Sequence, residues 1–187
     1  MLKNYFNELN KAFLKKSPTA KSAGKKTSGK SAAGFDGKLL IEKLDQIIPS
    51  GLKISSVKPI DSTGFSPDGS DYIVYREYCK DIAGLLNGYV PFELIHGAFF
   101  AIDELKKNTL ADALNRVATI KKINRFSEEE SEFSVPCFIF TDGAGYSLQD
   151  IKNDVINYYI SKGVDPEAEF ELMMIFNKGI IIKDWHS

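Results

Sequence analysis

The sequence has few of the residues on which many common active sites depend. It contains two cysteines and two histidines among 187 residues. Cys79 and Cys137 have no short spacing, so the sequence indicates neither a zinc site nor a disulfide framework, and a reducing, cytoplasmic setting is expected. His96 stands inside an apolar run, where a histidine is more often a core residue than a general base.

Long apolar runs and several common active-site motifs are missing as well. No run approaches the roughly 20 apolar residues of a membrane span, and the amino terminus lacks the apolar stretch of a secretory signal. The sequence contains no GxSxG, P-loop or GxGxxG motif, and GAGYS at residues 143–147 is better explained as a loop that leads into a helix. We therefore expect no membrane association and no enzyme of the classes that depend on those motifs.

Charge divides the chain into a basic beginning and an acidic remainder. The first 34 residues contain eight lysines and one acidic residue, although the whole chain has a formal charge of -1. Residues 2–16 place large apolar side chains on one helical face, which predicts a short amphipathic helix. Residues 17–34 are rich in Ser, Ala, Gly and Lys and predict a flexible basic linker.

The lysines of this linker are candidates for contact with nucleic acid phosphates, independent of base sequence. These candidates are Lys21, Lys25, Lys26 and Lys30. The alternative is that the linker is only a solvated tether, which such a composition more often indicates. No partner follows from the linker alone, and no oligomeric state is predicted.

Residues 35–187 are predicted to form one folded domain, because an apolar content of 43% allows a core while the length is short for two domains. Periodicity and turn residues predict helices and strands in a definite order. They are a helix at 38–48, strands at 52–57, 71–75 and 95–102, a helix at 109–123, a strand at 135–140, a helix at 147–163, and a final hairpin around 177–179. This alternation predicts an α/β fold with a mixed sheet and helices on its faces.

Acidic residues and a lysine near the ends of these strands supply the residue types of a metal-dependent nuclease. In such enzymes carboxylates hold Mg²⁺ against the scissile phosphate, and a lysine positions or activates the attacking water. Asp71 begins one strand, and an extended chain would place Glu104 and Lys106, which follow the next strand, on one face. Glu42 on the first helix is a further candidate ligand. Spacing alone, however, favours solvated charge before a helix.

Several segments, in this order, resemble an uncharacterised bacterial family of the PD-(D/E)xK nuclease-like superfamily. The segments are GFDGKLLIEKLDQIIP (34–49), SPDGSDYIVY (66–75), VPFELIHGAFFAI (90–102), VPCFIF (135–140) and MMIFNKG (173–179). The resemblance implies the restriction-endonuclease-like fold, a mixed central sheet flanked by helices. It also implies that Asp71 stands at the metal-binding aspartate of the family and Glu42 at its helix acid, with Mg²⁺ as the cofactor if the site is active.

The third motif of the family fits this sequence in two registers. Glu93 and the proline two residues before it match the opening of the motif. Counting seven residues on without a gap brings Phe100 and Ile102 to the positions of the catalytic Glu and Lys. The other register inserts four residues, which brings Glu104 and Lys106 to those positions and leaves Glu93 as a further candidate metal ligand.

We favour the gapless register because a metal site must lie within the sheet near Asp71, whereas Glu104 lies about 7 Å beyond the apolar run. The sequence thus predicts a nuclease-like domain that has lost the metal-dependent reaction and binds nucleic acid or a protein partner. Two alternatives stay open. One is an active Mg²⁺-dependent DNA endonuclease that uses Asp71, Glu104 and Lys106, and the other is a protein-interaction domain of the immunity or inhibitor type.

Overall fold

The computed structural model describes residues 37–103, 105–123, 134–143, 145–176 and 178–184. The predicted amphipathic helix, the basic linker with its four candidate lysines, and Glu104 lie outside these ranges. None of the described helices has the length and apolar composition that crossing a lipid bilayer requires.

Six strands form one mixed sheet, and two short strands pair beside it. In chain order the elements are α1 (Gly37–Leu44), β1 (Leu52–Ser55), β2 (Lys58–Ile60), β3 (Tyr72–Arg76), α2 (Lys80–Leu85), β4 (Tyr89–Pro91), β5 (Ile95–Ile102), α3 (Lys107–Ile120), β6 (Cys137–Thr141), α4 (Leu148–Lys162), β7 (Leu172–Ile175) and β8 (Gly179–Ile182). The large sheet has the order β1-β3-β5-β6-β7-β8, and β2 pairs with β4 in parallel. β5, β6 and β7 run parallel, whereas β1, β3 and β5 alternate in direction and β8 closes a hairpin on β7.

Each face of the large sheet carries its own apolar core. Side chains alternate along a strand, so β5 directs Ala98, Phe100 and Ile102 to one face, where they pack with buried residues of α3 and α4. Phe99 points to the other face and packs with Leu40 of α1. We call these two sides the α3 face and the α1 face. The nearly complete burial of β5 confirms that both sides of this strand are covered.

Local signals explain the ends of the helices, with one correction. Ser147 and Asp150 have the spacing of a capping box, and Ser147 accepts a hydrogen bond from the Asp150 backbone N–H at 3.1 Å, so it caps α4; Gly163 ends that helix in a left-handed conformation. Thr109 and Asp112 have the same spacing, which predicts a helix that starts after Thr109, and this prediction is wrong. α3 begins at Lys107, and the Thr109 hydroxyl in its first turn accepts from the Lys106 N–H at 2.8 Å.

Two further segments differ from the sequence prediction. The first helix ends at Leu44 rather than at residue 48, and Asp45 beyond its end accepts a hydrogen bond from Lys53 of β1 at 3.0 Å. The periodicity predicts no element in residues 76–94, but they contain α2, β4 and two short 3-10 turns. Elements this short contain too few residues to show a hydrophobic period.

Candidate functional site

Asp71 lies immediately before β3, beside the end of β5. Its backbone N–H donates to the Phe99 carbonyl oxygen at 3.1 Å. Tyr72, the next residue, pairs with Phe99, and the Ala101 N–H donates to the Asp71 carboxylate, so Asp71 lies beside residues 99–101 of β5. The sheet therefore places Phe100 next to the carboxylate that the resemblance assigns to metal binding.

Both carboxylate oxygens of Asp71 accept hydrogen bonds from this chain. Oδ2 accepts from the Ala101 backbone N–H at 2.8 Å, and Oδ1 accepts from Nη2 of Arg116 at 2.7 Å. Arg116 stands on α3, and its Nε also donates to the Gly69 carbonyl oxygen. Its guanidinium carbon lies 5.3 Å from the centroid of the Phe100 ring, within the range of a cation–π contact. A cation that belongs to the protein thus neutralises Asp71.

Gly69 makes this position of Arg116 possible. The residue has a φ of +139°, a conformation that side chains disfavour, and a Cβ there would lie 3.1 Å from Cγ of Arg116. The turn before β3 therefore needs glycine both for its backbone angle and for the close approach of the arginine stem.

Apolar side chains occupy the positions next to Asp71 on β5. Phe100 has no exposed surface and Ile102 is 5% exposed, and both belong to the core of the α3 face. β5 ends at Ile102 and α3 begins at Lys107, so Lys106 does not continue the strand that carries Phe100.

These residues do not fit a divalent cation at Asp71. Mg²⁺ requires oxygen ligands in nearly octahedral geometry and keeps several water molecules. Here a guanidinium and a backbone N–H hold the carboxylate, and the phenyl ring of Phe100 lies against the same guanidinium. Within the part of the chain that the structure describes, no group of three His, Cys, Asp or Glu side chains is placed to hold a metal ion.

Among the described residues, the structure does not bring the candidate ligands Glu42 and Glu93 to Asp71. Glu42 is exposed on α1, which covers the α1 face, whereas the partner of Asp71 stands on α3 at the opposite face. Glu93 is exposed in the 3-10 turn that precedes β5, and Asp71 lies at the far end of that strand, roughly 20 Å away at strand rise. Lys106 is exposed at the beginning of α3.

The described histidine and thiol side chains lie at the other end of these strands. His96 stands at a bulge between Ile95 and Gly97, and burial, assisted by the charge of Arg76, lowers its pKa. Cys137 is the first residue of β6, and burial raises the pKa of its thiol far above the usual range. Neither group is placed to act as a base or nucleophile beside Asp71.

Sequence reasoning missed Arg116, the residue that defines the chemistry of this site. It lies 45 residues from Asp71 in sequence, so no local motif connects the two. The available signal was its place in α3: Arg116 stands three residues after Ala113 and four before Ile120, both buried. An arginine at the margin of an apolar stripe can bury its stem and carry its guanidinium to a half-buried acceptor, and Asp71 is one.

Replacing Arg116 by alanine is expected to lower the free energy of unfolding by about 1–2 kcal/mol. A hydrogen bond to a charged group contributes roughly 1.5–3 kcal/mol, but the side chains of Arg116 and Asp71 are 23% and 34% exposed, so solvent screening reduces this contribution. Arg116→Lys keeps the positive charge but loses the planar pair of N–H donors, so its free energy of unfolding should lie between those of wild type and Arg116→Ala. Urea unfolding checks the order; equal stability of all three proteins contradicts it.

Comparisons with known proteins identify the fold. No protein-family model matches the sequence, and no characterised protein sequence matches it significantly. Among solved structures the chain is similar to NucC, a PD-(D/E)xK-type nuclease of the restriction-endonuclease-like fold. For NucC from E. coli MS115-1 in its apo form, the TM-score is 0.63 at 17% identity, over 99% of this chain and 80% of NucC.

The cAAA-bound forms of NucC give similar values over a shorter part of the chain. The TM-score is 0.59 at 15% identity for the protein from P. aeruginosa ATCC27853, and 0.57 at 16% identity for the protein from E. coli MS115-1. Each of these two comparisons covers 79% of this chain and 65% of NucC, just under two thirds of its length. Identity this low establishes a shared fold only, so the described residues have the restriction-endonuclease-like fold that the sequence predicted.

Proposed function

We propose that this chain is a nuclease-fold protein that binds nucleic acid without cleaving it at Asp71. The observation that carries the proposal is the ion pair of Asp71 with Arg116, backed by the phenyl ring of Phe100, which packs against the same guanidinium. The basic linker at residues 17–34 supplies the phosphate contacts, and residues 35–187 form the folded domain to which it is attached.

Metal-dependent hydrolysis at Asp71 would require the described residues of the site to rearrange. A metal at Asp71 has to displace the guanidinium of Arg116, which also bonds to the Gly69 carbonyl oxygen. The ring of Phe100, which packs against that guanidinium, offers no oxygen ligand to the metal. Binding needs none of these changes, so it is the function that the geometry supports better.

Charge assigns the phosphate contacts to the beginning of the chain. Residues 35–187 contain 16 basic and 24 acidic residues, whereas the first 34 residues are strongly basic. The acidic residues 35–187 repel a polyanion such as nucleic acid, and the basic first 34 residues attract it. The structural neighbour NucC is a nuclease, and two of its structures contain cAAA. The fold that this chain shares with NucC therefore supports the proposal that it binds nucleic acid or a related ligand.

Purified protein is expected to leave supercoiled plasmid intact in Mg²⁺ and in Mn²⁺, because Asp71 is held by Arg116. A restriction endonuclease in the same buffers shows that the plasmid is cleavable. Asp71→Asn is the matched variant, since the amide keeps the shape of the carboxylate. Metal-dependent nicking that Asp71→Asn abolishes would overturn the proposal and restore the active site of Asp71, Glu104 and Lys106 with Mg²⁺.

Binding of a labelled DNA duplex, followed by fluorescence anisotropy, is expected to weaken steeply as salt rises. Each phosphate contact contributes about 0.9 to the magnitude of the slope of log K against log salt, so replacing the four linker lysines with glutamine should reduce this magnitude by about 3.6. The matched control replaces four exposed lysines of the domain with glutamine: Lys80, Lys122, Lys152 and Lys162. Equal slopes for the two variants contradict the role of the linker, and undetectable binding favours a protein partner instead.

A further inference from the structure

The α1 face of the sheet continues past α1 as an apolar surface. Beyond β5, two rows of cross-strand neighbours extend to the edge of the sheet. One row contains Phe138, Leu172 and Ile182, and the other contains Phe140, Met174 and Ile180. We call Phe138, Leu172, Met174, Ile180 and Ile182 the open face.

Exposure rises along these rows with distance from α1. Phe99 and Phe140 are 9% and 6% exposed and share a core cluster with Leu40 of α1. Phe138, Leu172 and Met174 are half-buried, and at the edge strand Ile180 and Ile182 are 48% and 65% exposed. Five adjacent large apolar side chains, rather than scattered ones, indicate a surface that another element covers.

The small size of α1 explains why it covers only part of the α1 face. A helix of eight residues is about 12 Å long. The five spacings between six strands add up to about 24 Å. One helix of this length can therefore cover about half of the face, and a second helix is needed for the strands from β6 to β8.

The chain itself contains a segment that fits this gap. Residues 2–16 carry large apolar side chains on one helical face, and as a helix they would be about 22 Å long. α1 begins at Gly37 and already lies on the α1 face. If the intervening 20 residues, 17–36, form the flexible coil that their composition predicts, they would span about 25 Å, which is about the width of the sheet.

We propose that residues 2–16 dock on the open face as a helix and complete the cover of the α1 face. Charge supports an intramolecular occupant over a second copy, because a basic segment meets a domain with an excess of acidic residues, whereas two copies of this domain repel each other. The docking does not depend on the nucleic acid binding proposed above.

Two full-chain variants with the same change in charge test the docking. Leu9→Asp with Phe13→Asp alters the apolar side of the segment, and Asn4→Asp with Asn7→Asp alters its polar side. Hydrogen exchange of the peptide that spans β7 and β8 should become at least about tenfold faster in the first variant and stay as in wild type in the second. Equal hydrogen exchange in the two variants would contradict the proposal.

A reciprocal experiment changes the open face and observes the segment. Trypsin should cleave after Lys11 about tenfold more slowly than after Lys25 of the linker in wild type, because only a docked segment is protected. Ile180→Ser with Ile182→Ser should remove this difference. If hydrogen exchange at β8 instead depends on protein concentration and is unchanged in the Leu9→Asp, Phe13→Asp variant, a second copy covers the open face and the proposal is wrong.

Discussion

Phe100→Ala is expected to lower the free energy of unfolding by about 3–5 kcal/mol, the usual cost of removing a buried aromatic ring. Phe100 has no exposed surface and is among the largest fully buried side chains of the core. Its ring also lies beneath the guanidinium of Arg116, so the truncation removes support for the ion pair with Asp71 in addition to core contacts.

Two controls make this prediction specific. Phe100→Leu retains most of the apolar volume and should cost less than about 2 kcal/mol. Phe65→Ala removes the same ring from a side chain that is 42% exposed, and it should change stability by about 0.5 kcal/mol or less. Urea unfolding at constant pH gives all three values. If Phe100→Ala costs as little stability as Phe65→Ala, the ring of Phe100 does not fill a buried position beneath Arg116.

The sequence predicted the sheet well because its strands carry strong local signals. The apolar run at residues 95–102 coincides with β5, and the turn residues around 66–69 precede β3. The order of the main elements therefore follows from periodicity and turn chemistry. The short elements of residues 76–94 could not be predicted, because they depend on contacts with the rest of the fold.

The site was harder to predict than the fold because its contacts are distant in sequence. Side-chain parity could not separate the two registers, since residues 100, 102, 104 and 106 point the same way on an extended chain. What distinguishes Phe100 in the structure is the point where β5 ends and the pairing of Tyr72 with Phe99. The bond from Arg116 to Asp71 depends on how α3 lies across the sheet, which no local pattern specifies.

Lys121→Met is expected to lower the free energy of unfolding by about 3–5 kcal/mol, because it leaves one member of a buried ion pair without its partner. Nζ of Lys121 lies 2.5 Å from Oε1 of Glu171 and donates to Ser134 at 2.9 Å. Oε2 of Glu171 accepts from the Cys137 N–H at 2.5 Å. The two charged side chains are only 2% and 17% exposed, so water replaces the lost ammonium only in part.

The double variant Lys121→Met with Glu171→Gln should be more stable than Lys121→Met alone by about 2 kcal/mol, because the amide removes the uncompensated charge but still accepts from Cys137. Lys58→Met is the exposed control. Lys58 and Asp68 are 3.7 Å apart with side chains 61% and 93% exposed, and loss of such a pair costs at most about 1 kcal/mol. Urea unfolding of wild type, Lys121→Met, Glu171→Gln, their double variant and the Lys58→Met control measures the coupling. Additive losses in the double variant would mean that the pair does not join α3 to the strands, and that packing alone holds this end of the sheet.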